Sequence, residues 1–147
     1  DVEKMQMLME AAGDISVTFH RAFDVCSDPF EAMEQIITLG CDRILTSGQQ
    51  ATAIAGASLL KALNQQAAGR IILLAGSGVN ENNIDKIAEI SNLHEFHFSA
   101  RTPVPSLMEY RKPGVPMGGT VEIDEYSYPY TSVEKVKKTI DALNKSK

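Results

Sequence analysis

The feature that most constrains the fold is an alternation, repeated four times, of a short apolar run, turn residues and a segment with helical spacing. The predicted strands cover residues 15–20, 42–48, 70–75 and 93–99, the second including its exit loop. One further helix, Val2–Ala12, is predicted before the first strand, and a last helix begins after Thr131. Parallel strands need helical crossovers of this kind, so the sequence predicts an α/β fold.

The two faces of the outer strands differ in polarity. Within residues 15–20 every second residue is apolar, and Phe96 and Phe98 alternate with Glu95 and His97. Open doubly wound sheets tend to be apolar on both faces, whereas a barrel strand turns one face to helices and the other to the interior. The alternation therefore favours a (β/α)8 TIM barrel over a doubly wound sheet.

A complete barrel needs eight strands and about 250 residues. The four βα units of this 147-residue chain are therefore predicted to be the C-terminal half of a barrel, in a single domain over residues 1–147. We expect the chain to begin inside a longer protein. Half a barrel would leave strand edges unpaired, which favours association with another copy or fragment.

Charge, apolar run length and cysteine content exclude several function classes. A net charge of −5 and a pI near 5.2 repel phosphate backbones, so nucleic acid is not expected as a partner. The longest apolar run, residues 71–75, is far short of the roughly 18 residues needed to span a bilayer, so no membrane partner is expected either. Two cysteines, Cys26 and Cys41, fit a reducing compartment, which predicts a cytoplasmic location.

Catalytic candidates follow the first and last predicted strands, because the carboxyl ends of barrel strands form the active-site face. His20, Arg21 and Asp24 stand at the end of the first strand, where a histidine beside a cation and a carboxylate can act as general acid or base. Alternatively, Arg21 and Asp24 only pair and brace their loop. His97, on the inward face of the fourth strand, is a further candidate, although a hydrogen-bonded core histidine is the commoner outcome.

The loops after the third and fourth strands predict an anion site. Barrels frequently bind phosphate between the loops after their seventh and eighth strands, through backbone N–H groups and a helix N-terminus. An arginine there adds a bidentate partner. The alternative is that the glycines only make tight turns. The candidate anion-binding residues are Ser47, Gly76, Ser77, Gly78, Ser99 and Arg101.

Residues 100–130 break the alternation. All four tyrosines lie in this stretch, together with several prolines and the pair Gly118–Gly119. A connection of about 30 residues is far longer than the usual βα loop and is commonly a lid or a binding loop. The sequence therefore predicts a long loop over the barrel mouth.

Four blocks at the predicted strand ends resemble a known family. They are residues 17–24 (VTFHRAFD), 43–48 (RILTSG), 75–79 (AGSGV) and 95–100 (EFHFSA). In this order and spacing they are similar to the strand ends of the CutC family, and the resemblance extends over nearly the whole chain. It implies a cytosolic (β/α)8 barrel, often a homodimer or other homo-oligomer, that serves copper homeostasis with copper ion as its partner. The family's cysteine-containing strands would lie before Asp1, so the resemblance transfers no copper ligand to this chain.

Cysteines and methionines are the candidate copper ligands within the chain, because Cu(I) prefers thiolate and thioether sulfur. Cys26 is expected at the barrel mouth and Cys41 at the opposite end of the barrel. The methionines at positions 5, 7 and 9 are expected on different helix faces and mainly in core packing. Cys26, with His20, is therefore the candidate partial copper site.

Three functions remain open from the sequence. The first is copper homeostasis of the CutC type, with copper as a possible ligand. The second is a TIM-barrel enzyme acting on a small anionic or phosphorylated substrate with His20, Arg21 and Asp24 at the mouth. The third is an interaction or scaffold fragment, suggested by the incomplete number of strands. Whether the protein is an enzyme is left undecided.

Overall fold

The computed structural model describes residues 1–118, 120–121 and 123–145. It contains five α-helices and six strands within these residues, with a short 3-10 helix, Arg21–Val25, after the first strand. In chain order they are α1 (Val2–Ala12), β1 (Thr18–Phe19), α2 (Pro29–Thr38), β2 (Arg43–Thr46), α3 (Ala57–Ala67), β3 (Ile72–Ala75), α4 (Ile84–Ser91), β4 (Glu95–Phe96), β5 (Arg101–Pro105), β6 (Ser127–Thr131) and α5 (Val133–Asn144). None of the described helices is both long enough and apolar enough to cross a membrane.

Strands β1 to β4 form one parallel sheet in sequential order. Thr18 aligns with Arg43, Ile44 with Leu73, and Leu74 with Glu95. Each strand therefore lies beside the next one along the chain, with helices as crossovers. The predicted α/β fold with a parallel sheet is confirmed, as is the predicted helix Val2–Ala12.

The outer strands are shorter than predicted. Residues 15–20 and 93–99 keep only two strand residues each, Thr18–Phe19 and Glu95–Phe96. Within the described residues each of these strands has a single neighbouring strand, and the backbone bonds just beyond them, such as His97 N–H to Ala75 O at 2.8 Å, do not extend the ladder further. Ile15, expected in the first strand, is 72% exposed.

The two faces of the sheet differ in burial. Ile44, Leu73 and Ala75 are buried on one face, where helix side chains cover them. The opposite face carries Arg43, Leu45, Ile72, Leu74 and Glu95, none of which is fully buried. The hydrophobic core therefore lies between the sheet and the helices. The buried helix side chains that form it include Met33, Ile36, Leu60, Leu63, Ile84 and Ile87.

The described residues within 101–131, called the ribbon, include the two strands β5 and β6, so part of the stretch predicted as a long loop over residues 100–130 is regular structure. Strands β5 and β6 pair antiparallel from Arg101 opposite Thr131 to Pro105 opposite Ser127. Prolines 103 and 129 face each other, and an isolated ribbon tolerates them because both of its strands are edges. Gly119 of the Gly118–Gly119 pair lies outside the described residues. A position of this segment over a barrel mouth stays a prediction.

Candidate functional site

The Asp24 carboxylate joins the two loops that follow β1 and β2. Its Oδ2 accepts a hydrogen bond from Arg21 Nε at 2.7 Å, and its Oδ1 accepts one from Thr46 Oγ1 at 2.6 Å. The backbone N–H groups of Ser47 and Gln49 also donate to Oδ1, at 3.0 and 3.2 Å. The 3-10 helix that follows β1 places Asp24 against the carboxyl end of β2.

The environment keeps this carboxylate ionised. Burial raises the pKa of Asp24, but hydrogen bonds from Thr46, Arg21, Gln49 and Ser47 outweigh burial and hold the pKa below its usual value. With a side chain only 7% exposed, Asp24 is a fixed acceptor and not a group poised to exchange protons near neutral pH. These contacts are the ones expected if Asp24 braces its loop, while a catalytic role of Asp24 stays a prediction.

Arg21 is oriented by two partners and remains accessible. Its Nε binds Asp24, and its Nη2 donates to Ser47 Oγ at 2.8 Å. The side chain is 43% exposed. Its Nη1 has no protein partner among the described residues. The predicted candidates Arg21, Asp24 and Ser47 therefore meet in one cluster, with one guanidinium edge available to an anion.

His20 and His97 are placed differently. His20 Nδ1 accepts a hydrogen bond from Ala22 N–H at 3.0 Å, so the imidazole caps the 3-10 helix and its Nε2 is left for other partners. His97 is exposed and follows β4, where its Cβ lies beside Gly76 at the end of β3. The strands that carry the two histidines are separated by β2 and β3. This chain alone does not bring them together.

The loop after β3 is tied to the loop after β2. Ser77 Oγ donates to Ala51 O at 2.8 Å, and Ser77 O accepts from Ala53 N at 2.9 Å. Gly78 O accepts from the side-chain amides of Asn80 and Asn83. Ser77 and Gly78, predicted to bind an anion, therefore make internal contacts through these atoms.

Ser99 and Arg101 lie beyond β4. Both residues are exposed, and Arg101 begins the ribbon, where its backbone oxygen accepts from Lys135 Nζ at 2.8 Å. The carboxyl edge of the sheet thus carries an ordered Arg21 cluster, while Ser99 and Arg101 stay predicted members of an anion site.

Cys26 faces an amide. Gln49 Nε2 donates to Cys26 O at 2.8 Å and lies 3.5 Å from the Cys26 sulfur. Burial raises the pKa of this thiol. In the part of the chain that the structure describes, no group of three or more His, Cys, Asp or Glu side chains is arranged to hold a metal ion. Cys26 is therefore not part of such a group among the described residues, and a partial copper site of Cys26 with His20 stays a prediction.

Sequence reasoning missed two features. Thr46 is fully buried and directs its hydroxyl at Asp24; a threonine on the apolar face of a predicted strand was the available signal. The second is a contact between Cys41 Sγ and Met9 Sδ at 3.7 Å. Met5 and Met9 both pack against the core, as expected for most of the three methionines of this helix, whereas Met7 lies on another face and is 68% exposed. Their separation of four residues was the signal for a common face.

Comparison with known proteins gives one family. A CutC family model matches residues 1–102. The chain is 60% identical over 146 residues to a CutC family protein of Bacteroides fragilis and 45% identical over 146 residues to one of Chromobacterium violaceum. Each alignment covers 99% of this chain but only 58% and 59% of the relative, so the chain spans less than two thirds of the length of these relatives.

A solved structure agrees with this assignment. The putative copper homeostasis protein CutC from Streptococcus agalactiae is 32% identical to the chain, with a TM-score of 0.63. The superposition covers 66% of this chain and 48% of that protein. The likeness is thus one of sequence as well as of fold.

Proposed function

Because this chain belongs to the CutC family, we propose that it is part of a copper-homeostasis protein. The family match is the observation that carries the proposal, and the Streptococcus agalactiae relative is itself titled a putative copper homeostasis protein. Two free cysteines support a reducing, cytoplasmic location. Copper ion is the proposed partner.

The proposed architecture is the C-terminal half of a (β/α)8 barrel, with residues 1–147 as one domain. Three observations support it. The parallel strands follow one another in sequential order, the core helices cover one face of the sheet, and the chain spans 58% of a relative's length. Closure would place Arg43 and Glu95, joined by an ion pair at 2.8 Å, in the barrel interior. The ribbon's exposed apolar side chains, such as Leu107 and Tyr130, support a homo-oligomer.

The test of the proposed function combines binding with physiology. Cu(I) is titrated, against a chelator of known affinity, into this chain, the longer parent protein and the Cys26→Ser form of each. Copper tolerance is measured in cells with and without the parent gene. Binding together with reduced tolerance after gene loss is the expected result. Absence of binding in every form, with unchanged tolerance, would reject copper homeostasis.

A second candidate is an enzyme acting on a small anionic or phosphorylated substrate. The orientation of Arg21 by Asp24 and Ser47 favours it, because a pre-oriented guanidinium at a strand end suits an oxyanion. In this proposal Arg21 binds the anion, His20 exchanges protons through Nε2, and Asp24 acts by positioning Arg21. Closure of the barrel would have to bring His97 within reach of the same substrate.

Phosphate binding, followed by NMR, tests this second candidate. Arg21→Ala should lose most of the affinity and Arg21→Lys should recover only part, because lysine lacks the planar fork. Arg111→Ala is the matched control, since that guanidinium stacks on Tyr126 at 4.7 Å in the ribbon. Equal affinity in all three variants would exclude Arg21 as the anion-binding group.

A further inference from the structure

The contact between Met9 and Cys41 brings two soft sulfur atoms together away from the carboxyl edge. Cys41 immediately precedes Asp42 and β2, at the amino end of the sheet, and Met9 lies on α1. Their sulfur atoms are 3.7 Å apart. Cys41 is 5% exposed, and Met9 is partly buried against the core. A thiol and a thioether at this distance are the ligand types that soft monovalent cations select.

The geometry points to a two-sulfur site for a soft cation of the Cu(I) class, which we propose is formed by Met9 Sδ and Cys41 Sγ. With metal–sulfur bonds of about 2.3 Å, an ion bound to both sulfurs at their present separation would subtend an angle of about 107°. A linear arrangement would need the sulfurs about 4.6 Å apart. As the ion binds, the thiol releases its proton to solvent and the thiolate forms the metal–sulfur bond.

The helix that carries Met9 can supply the remaining 0.9 Å or so of movement. None of the residues in α1 is fully buried, so core packing does not fix this helix as it fixes α3. Methionine has three rotatable side-chain bonds and adapts to irregular spaces. A rotamer change at Met9 therefore opens the pair while Cys41 stays fixed at the start of β2.

A groove open to solvent reaches Met9. A groove of about 850 Å³ lies between α1 and α2 and is lined by Met9 together with Leu39 and Gly40, the residues just before Cys41. Glu10 and Glu31 also line this groove, and their carboxylates favour the approach of a cation. A cation can therefore approach Met9 through this groove, and Cys41 follows directly after two of the residues that line it.

The pair differs from the site expected at Cys26. There the sulfur neighbour is the Gln49 amide, which is a hard ligand and a poor one for a soft cation. Only the identification of the cation as copper rests on the proposed function, since the two sulfurs would bind Ag(I) equally in a protein of any other role.

The experiment titrates Ag(I), and Cu(I) against a chelator of known affinity, into the 147-residue chain. The variants are Met9→Leu, which keeps the side-chain volume, and Cys41→Ser. The matched controls are Met7→Leu, an exposed methionine of the same helix, and Cys26→Ser. NMR follows the methionine methyl resonances, and circular dichroism checks that every variant is folded.

One equivalent is expected to bind to the unaltered chain and to shift the Met9 methyl resonance. Met9→Leu should weaken binding by at least about tenfold, comparable to the loss of a supporting ligand contact. Cys41→Ser should abolish binding, while both controls bind normally. Loss of binding in Cys26→Ser instead, or an unshifted Met9 methyl at saturation, overturns the site. If the cation binds at the sulfur pair but copper tolerance is unchanged after gene loss, the result supports the site and rejects only the proposed role in copper homeostasis.

Discussion

Replacing Asp24 with alanine removes the acceptor shared by two loops, and its cost can be worked out from the contacts. The carboxylate side chain is 7% exposed and accepts from Thr46, from Arg21 and from the backbone N–H groups of Ser47 and Gln49. Arg21 is accessible enough for water to replace its partner, and the Thr46 hydroxyl can rotate. The backbone N–H groups of Ser47 and Gln49 would lose their acceptor without a replacement. An unsatisfied buried donor costs about 1–3 kcal/mol. We therefore expect a loss of about 3 kcal/mol in the free energy of unfolding.

Urea denaturation followed by circular dichroism measures this loss. With a slope of about 2 kcal/mol per M, a loss of about 3 kcal/mol lowers the midpoint by roughly 1.5 M. Asp14→Ala, at an exposed position in the turn after α1, is the matched control and should change stability by less than about 0.5 kcal/mol. Equal midpoints for the two variants would refute the assignment of Asp24 as the anchor of these loops.

The same interaction has a defined pH dependence. The pKa of Asp24 is lower in the folded chain than its unfolded value of about 3.9, so its contribution is fully present above that pH. The contribution falls as the pH drops through the folded pKa, where the native carboxylate takes up its proton. The stability gap between the unaltered chain and Asp24→Asn should therefore be largest near neutral pH and shrink below about pH 4.

Two further predictions concern the scaffold. Hydrogen bonds from Arg70 and Gln66 lower the pKa of Glu34 to about 2. The stability lost in Glu34→Gln should therefore be constant above the usual pKa of 4.5 and vanish as the pH falls toward 2. Thermal midpoints of both proteins across this pH range measure the difference, and a difference independent of pH would contradict the prediction. A Cβ on Gly56 would overlap the Ser47 carbonyl oxygen and lie 2.9 Å from the Gly48 Cα, whereas one on Gly40 meets no atom within 4 Å but has a positive φ of 85°. Gly40→Ala should cost about 1–2 kcal/mol and Gly56→Ala more than about 3 kcal/mol in urea denaturation, and the reverse order would count against the close approach of these loops.

The order of elements was predictable because periodicity reports burial. Apolar residues at every second strand position, followed by segments with helical spacing, predicted four βα units. The structure contains these four units. The extent of the outer strands was not predictable, because a strand extends only where a neighbouring strand supplies hydrogen bonds. Ile15 has the pattern of a strand residue but no ladder partner in the described chain. The ribbon was missed because prolines 103 and 129 lower strand propensity, and the ladder tolerates them because both strands are edges.

The candidate site was likewise predictable from the sequence only in part. Their positions after strands put Arg21, Asp24 and Ser47 at one edge of the sheet, because the carboxyl ends of parallel strands meet there, and in the structure these side chains contact one another. The role of each side chain depended on partners that sequence spacing does not give. Thr46 and the Gln49 N–H are two of the four groups that lower the pKa of Asp24, and they are 22 and 25 residues away from it. The contact of Met9 with Cys41 spans 32 residues and likewise follows only from the packing of α1 beside β2.

The loops at the carboxyl edge are joined before any ligand arrives. Asp24 fastens the loop after β1 to Ser47, and Ser77 fastens the loop after β3 to Ala51. A ligand that binds here meets a surface already ordered, which reduces the entropy lost on binding. The sulfur pair lies at the other end of the same strand, since Cys41 and Ser47 are six residues apart, or about 20 Å in extended chain. An anion held by Arg21 and a soft cation held at Met9 and Cys41 would therefore occupy separate ends of the sheet, and binding of one would not sterically exclude the other.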